Sequence, residues 1–172
     1  MSKVSVSVVS GDVSRVKADA LVTAIHSGGR WFGGIDGVIN RAAGNLFHSQ
    51  AAKAMPLTDG QTVVARSNGH AHDGAFANVV FVIDDLQRPL HEIIHNGLKA
   101  ASDAGFRSVS LPTIRMGVML EVVEKSVGEA VKEMAKGVKK FLAADSSTKL
   151  ESITFVVYND KKTQSLLQSV LG

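Results

Sequence analysis

The 172-residue chain carries 19 Lys and Arg against 16 Asp and Glu, a formal net charge of +3, with 45% hydrophobic and 20% charged residues and no Cys. That balance describes an ordinary globular chain long enough to bury a core, and it excludes thiol catalysis, Cys-ligated zinc and disulfide staples. The small charge excess gives no strong nucleic-acid signal, and no apolar run approaches the ~20 residues of a membrane helix, so a cytoplasmic protein is expected.

Val4 to Val9 alternates Val with Ser and predicts a first strand, closed by the turn Ser10-Gly11-Asp12. Asp19 to Ile25 is mostly apolar without helical period, as in a buried strand. A glycine-rich loop follows, with Trp31 and Phe32 inside it, and then a helix from about Asp36 to Lys53. Such a loop lets backbone approach a ligand closely, and a helix start at Asp36 would offer unpaired N–H groups to phosphate. Asp36 also suits an N-cap, and Trp31 and Phe32 either stack on a ligand, pack on the sheet or cover the cleft.

Gln61 to Arg66 predicts a short strand, and Phe76 to Asp84 a strongly buried one. Gln87 to Ala104 places Leu90, Ile94, Leu98 and Ala101 on one helical stripe, ended by Gly105. Ser108 to Leu111 is a strand leading into Pro112 and a loop. A long helix follows from about Glu121 to Leu142, then a strand from Ser152 to Tyr158 and a closing helix from Lys161 to Leu171. The acids Glu121, Glu124, Glu129 and Glu133 precede Lys132, Lys136, Lys139 and Lys140, the order a helix dipole favours on a solvated face.

Alternating strands and helices, without repeat or linker, predict one domain over 1–172. It is a three-layer α/β/α sandwich around a mixed central sheet. Ligands in such folds collect at the carboxyl ends of strands. The three loops Gly11-Asp12, His26 to Gly34 and Thr113 to Val118 all leave apolar strands there, and on one edge they would wall a single cleft.

Two further patterns invite metal readings. His91-Glu92-Ile93-Ile94-His95 matches HExxH, which on a helix binds zinc through the two His. The apolar stripe turns Glu92 nearly away from the core and no third ligand follows, so a chance match and no metal are expected. His70-Ala71-His72-Asp73 reads as a polar loop.

With these loops placed, the chain resembles the macrodomain family, the ADP-ribose-binding α/β module. The likeness is carried by Gly11-Asp12-Val13-Ser14, by Ala18-Asp19-Ala20-Leu21-Val22, and by Gly33-Gly34-Ile35-Asp36-Gly37-Val38-Ile39-Asn40-Arg41-Ala42-Ala43-Gly44. Leu111-Pro112-Thr113-Ile114 followed by Gly117-Val118 is similar to the family's second phosphate loop. The resemblance implies binding of ADP-ribose or an ADP-ribosylated molecule, with no cofactor. It implies that Asp12 accepts from the adenine amino group, with Val13 lining the base and Tyr158 and Asn159 at its edge. Gly33, Gly34 and Ile35 would meet the diphosphate, and Ile114, Arg115, Met116, Gly117 and Val118 would close from the other side. In the hydrolytic branch an Asp at the position of Asp36 helps activate the attacking water.

Departures accompany the match. His26 stands where the family has the Asn that touches the distal ribose. The second loop reads Arg115-Met116-Gly117-Val118-Met119-Leu120, without the family's aromatic residue. Arg115 either pairs with a phosphate or points to solvent. These replacements also motivate the alternative of a structural or interaction domain that has kept the fold and lost the ligand.

Overall fold

The computed structural model describes residues 4–27, 34–114, 126–144 and 148–171. Its strands are β1 (Ser5–Ser10), β2 (Ala18–Ile25), β3 (Thr62–Ala65), β4 (Phe76–Ile83), β5 (Ser108–Pro112) and β6 (Ser152–Val157). They form one sheet in the order β1-β6-β5-β2-β4-β3. β1, β6, β5, β2 and β4 run parallel and β3 alone is antiparallel, which makes the sheet mixed.

Parallel neighbours need crossovers, and helices supply them. These are α1 (Gly34–Ala43), α2 (His48–Ala54), α3 (Leu90–Asp103), α4 (Val127–Ala144) and α5 (Lys161–Leu171). Alternation along β2 divides its side chains between two cores. Ala20, Val22 and Ala24 meet the residues of α3, α4 and α5, while Leu21 and Ile25 meet Ile39, Phe47 and Ala51 from α1 and α2. The outcome is the expected sandwich of helices on both faces of a sheet.

Several boundaries differ from the sequence reading for identifiable reasons. The helix expected over Asp36 to Lys53 is two helices, because Gly44 takes φ +57° and its N–H closes the end of α1 on Asn40 O at 2.8 Å. α1 begins at Gly34, so Asp36 lies inside its first turn and is not the N-cap. A short 3-10 turn, Val13–Arg15, follows Asp12 where only a turn was expected. Of the predicted helix Glu121 to Leu142, residues 121–125 lie outside the described residues, and α4 continues to Ala144.

α3 starts after Pro89, which offers no side-chain cap. Glu133 on α4 supplies one from outside: its Oε2 accepts from the His91 backbone N–H at 3.0 Å and meets His91 Nδ1 at 2.6 Å. This occupies the first His of the HExxH match, and among the described residues no group of three or more His, Asp or Glu is arranged to hold a metal.

Burial pushes the Glu133 carboxyl up, but the hydrogen bonds from the His91 ring and backbone outweigh it and hold it below its ordinary value of 4.5. A depressed folded value means stability fully present above the ordinary value of 4.5 and lost as the pH falls through the lower folded value. Glu133→Gln should therefore unfold at lower urea than the parent at neutral pH, with the gap closing in acid. An equal gap at both pH values would contradict this role.

Candidate functional site

Because β1, β6, β5, β2 and β4 are parallel, their carboxyl ends share one edge of the sheet. Ser10 registers with Val157, Pro112 with Val156, and Ile25 with Ile83. That edge carries Gly11-Asp12, Tyr158-Asn159, Thr113-Ile114, His26-Ser27 and Asp84-Asp85, in the order of the strands.

Asp12 stands at one end. Gly11 N–H donates to Val157 O at 3.0 Å, fixing this loop against the end of β6. Gly11 itself has φ +152°, where a side chain is strained. Asp12 Oδ1 accepts from Ser14 N (2.9 Å) and Ser14 Oγ (2.7 Å), capping the 3-10 turn. These Ser14 bonds, helped by Arg15 and Arg41 against slight burial, hold its carboxyl below the usual range, so it is an anion at neutral pH. Its Oδ2 lies 3.9 Å from Arg15 Nε, and the side chain is 40% exposed. A cleft of about 220 Å³ opens here between the 3-10 turn and α1, lined by Asp12, Ser14, Arg15, Val38, Arg41 and Asp73.

Tyr158 follows β6 rather than belonging to it, and at 77% exposure it is not the half-buried strand-end aromatic that a sheet position would give. Asn159 takes φ +49°, and Asp160 then caps α5 through Thr163 N (3.1 Å) and Thr163 Oγ1 (2.6 Å). The Thr163 bonds hold the Asp160 carboxyl below its ordinary value. A firm strand end and a firm cap thus present an exposed ring beside the Gly11-Asp12 loop.

Two of the expected ligand residues turn their side chains inward. Val13 and Ile114 are both 6% exposed and pack in opposite cores, so what they offer a ligand is backbone. Gly34 and Ile35 open α1. Gly33, Trp31, Phe32, Arg115, Met116, Gly117 and Val118 lie outside the described residues, as does the side chain of Asp36.

At the other end His26 leaves β2, with Nε2 3.3 Å from Asp85 Oδ1. The same oxygen accepts from Ser27 N–H at 2.9 Å. Asp85 was missed in the sequence, although an acidic pair directly after the buried strand Phe76–Ile83 marks the carboxyl end where such folds bind ligands. A larger hollow, about 470 Å³, lies at the opposite sheet edge among His95, Lys99, Ser102, Asp103, Phe141 and Lys149. There Lys99 is already paired with Asp103 at 2.8 Å. Its position away from the strand carboxyl ends argues against it as the main site.

No family model matches the chain. It is 28% identical to a macro domain-containing protein in the gbd 3' region of Cupriavidus necator, over 94% of each chain. It is 26% identical to an O-acetyl-ADP-ribose deacetylase of Escherichia fergusonii, over 94% of this chain and 93% of that one. Among solved structures, the Trypanosoma brucei macrodomain in complex with ADP-ribose superimposes with a TM-score of 0.80 at 20% identity, over 97% of this chain and 69% of that one. Sequence likeness to macro domain-containing proteins runs nearly end to end, and the chain has the macrodomain fold.

Proposed function

We propose that residues 1–172 form one domain that binds ADP-ribose, or a relative carrying adenine, diphosphate and ribose, along the carboxyl edge of the sheet. The observation that carries this is the spacing of unlike groups on that edge. From the end of β1 to the end of β2 the path crosses β6 and β5, three strand steps of about 4.8 Å, or about 14 Å in all. That distance suits an adenosine diphosphate, with a carboxylate and an exposed Tyr at the base end and the start of α1 near the other.

Each role follows from its chemistry. Ionised Asp12 only accepts hydrogen bonds, which fits an exocyclic amine. Tyr158 offers a ring face to the base, with Asn159 beside it. Gly33, Gly34 and Ile35 bring backbone N–H groups at the α1 start to the diphosphate, where the helix dipole favours negative charge. Ile114, Arg115, Met116, Gly117 and Val118 close over it, and His26 lies towards the distal ribose.

Relatives called O-acetyl-ADP-ribose deacetylases favour a second reading, hydrolysis. Asp36 in the first turn of α1 lies next to the diphosphate site, where a carboxylate can take a proton from an attacking water. Calorimetry with ADP-ribose tests binding, and release of ADP-ribose from a modified protein tests turnover. Asp36→Ala should keep binding and lose turnover about a hundredfold, the usual worth of a general base. No heat with ADP-ribose or ADP at high protein concentration would leave the alternative, a domain that has lost its ligand.

A further inference from the structure

We infer that the exposed lysine row of α4 binds the phosphate backbone of nucleic acid, without reading its sequence. This surface is separate from the carboxyl edge of the sheet, and its binding is independent of the nucleotide proposed there.

The positive charge of the chain is concentrated here. α4 and α5 hold six Lys against two Glu, an excess of four in a chain whose net charge is +3. The remainder of the chain is therefore one unit negative, and the small overall excess conceals a local one.

Folding lines that charge up. The apolar residues of α4, among them Val131, Met134, Val138 and Phe141, are buried against the sheet, while Lys132, Lys136, Lys139 and Lys140 are exposed. Lys132, Lys136 and Lys140 follow one another at four-residue steps, so they form a ridge with a rise of about 6 Å per step. That spacing is shorter than the screening length of about 8 Å at physiological salt, and the row acts as one positive strip. α4 packs against α3 on one side and α5 on the other, which sets the strip along the middle of the helical layer.

Little neutralises it. Glu133, the acid nearest Lys136 in the chain, is engaged by the backbone N–H and ring of His91. Among the described residues none of the four Lys forms an ion pair. Like charges four residues apart repel and weaken a helix, and a bound polyanion reverses that cost.

The chemistry selects the partner. A membrane-surface helix needs apolar side chains beside its charges, but those of α4 point inward, and Tyr158 is the one large hydrophobic exposed among the described residues. A nucleic-acid backbone instead repeats its charge at regular intervals, about one per 3.4 Å of axis on each strand. Neither α4 nor α5 contains Arg, so no guanidinium fork is present there to read a base edge. Lysines supply point charges to phosphate and leave the sequence unread.

The test is fluorescence anisotropy of a labelled DNA duplex of about 20 base pairs with the whole chain, over a range of salt. Four phosphate contacts give a log–log salt slope of about −3 to −4, or about a hundredfold loss of affinity between 50 and 200 mM. The double variant Lys136→Gln, Lys140→Gln should make the slope shallower by about 2 and weaken binding on the order of tenfold. Lys17→Gln with Lys53→Gln removes the same charge from exposed positions elsewhere and should leave the slope as it was. Thermal melts of both variants should match the parent, because every substituted side chain is exposed. Duplexes of unrelated sequence should bind alike, and saturating ADP-ribose should not displace them. The inference is overturned by no binding at low salt, by equal losses in the two double variants, by displacement with ADP-ribose, or by a chain that binds phosphatidylserine vesicles and not DNA.

Discussion

Asp12→Ala should weaken ADP-ribose binding about thirtyfold, because a hydrogen bond to a charged group is worth about 1.5–3 kcal/mol. The same change removes the cap of the 3-10 turn, whose Ser14 contacts both end on Asp12 Oδ1. Loss of a cap costs about 1 kcal/mol, a fall of roughly 2–4 °C in melting point for a chain of this size. Asp12→Asn separates the effects. Asn caps as well as Asp, so stability should hold, while a neutral amide accepts from the adenine amine less strongly than a carboxylate. Affinity should therefore fall in the order Asp, Asn, Ala, while stability falls only in Ala. Calorimetry and thermal melts on the three proteins check this, and equal affinity in all three would remove Asp12 from the site.

The second large effect concerns the helix pair behind the site. Gly137 sits in the middle of α4, where alanine is worth about 1 kcal/mol more than glycine by helix propensity. Packing opposes that gain. A Cβ at Gly137 would stand 2.6 Å from Ile94 Cβ and 2.7 Å from His91 O, both on α3 and neither at the end of a flexible chain. Overpacking of this kind costs about 1–3 kcal/mol, and two rigid contacts place it at the upper end, so the clash wins. Gly137→Ala should be destabilised by about 2 kcal/mol, or roughly 4–8 °C. Gly128→Ala provides the control, since its nearest neighbour would be Ser126 Oγ at 3.8 Å. Urea melts showing Gly137→Ala more stable than the parent would mean that α3 and α4 are not in this contact.

Local patterns carried much of the architecture. The mostly apolar run of β2 announces a strand buried on both sides, and the stripe Leu90, Ile94, Leu98, Ala101 announces the inward face of α3, which Ile93 and Gly97 widen. Gly11-Asp12 and the start of α1 stand out as candidate ligand loops because glycine and acid positions there resemble a family pattern. The helix break at Gly44 was not legible, since a single Gly inside a helical run is as often tolerated as terminal. Pairings between distant segments were hidden for a different reason. Glu133 capping α3 and Asp85 facing His26 depend on which strands and helices become neighbours, and periodicity does not encode that. His26 is the clearest case. Its identity raised doubt about the distal end, and only the adjacent β4 terminus shows what accompanies it.

Backbone amide chemical shifts recorded during a titration with ADP-ribose would locate the ligand on the sheet. The largest shifts should fall together on Asp12, Ser14, His26, Ser27, Ile114 and Tyr158, at the carboxyl edge of the sheet, and on Ile35 at the start of α1. Shifts clustered instead at Lys99, Asp103 and Lys149 on the opposite edge, or no shifts at saturating ligand, would contradict it.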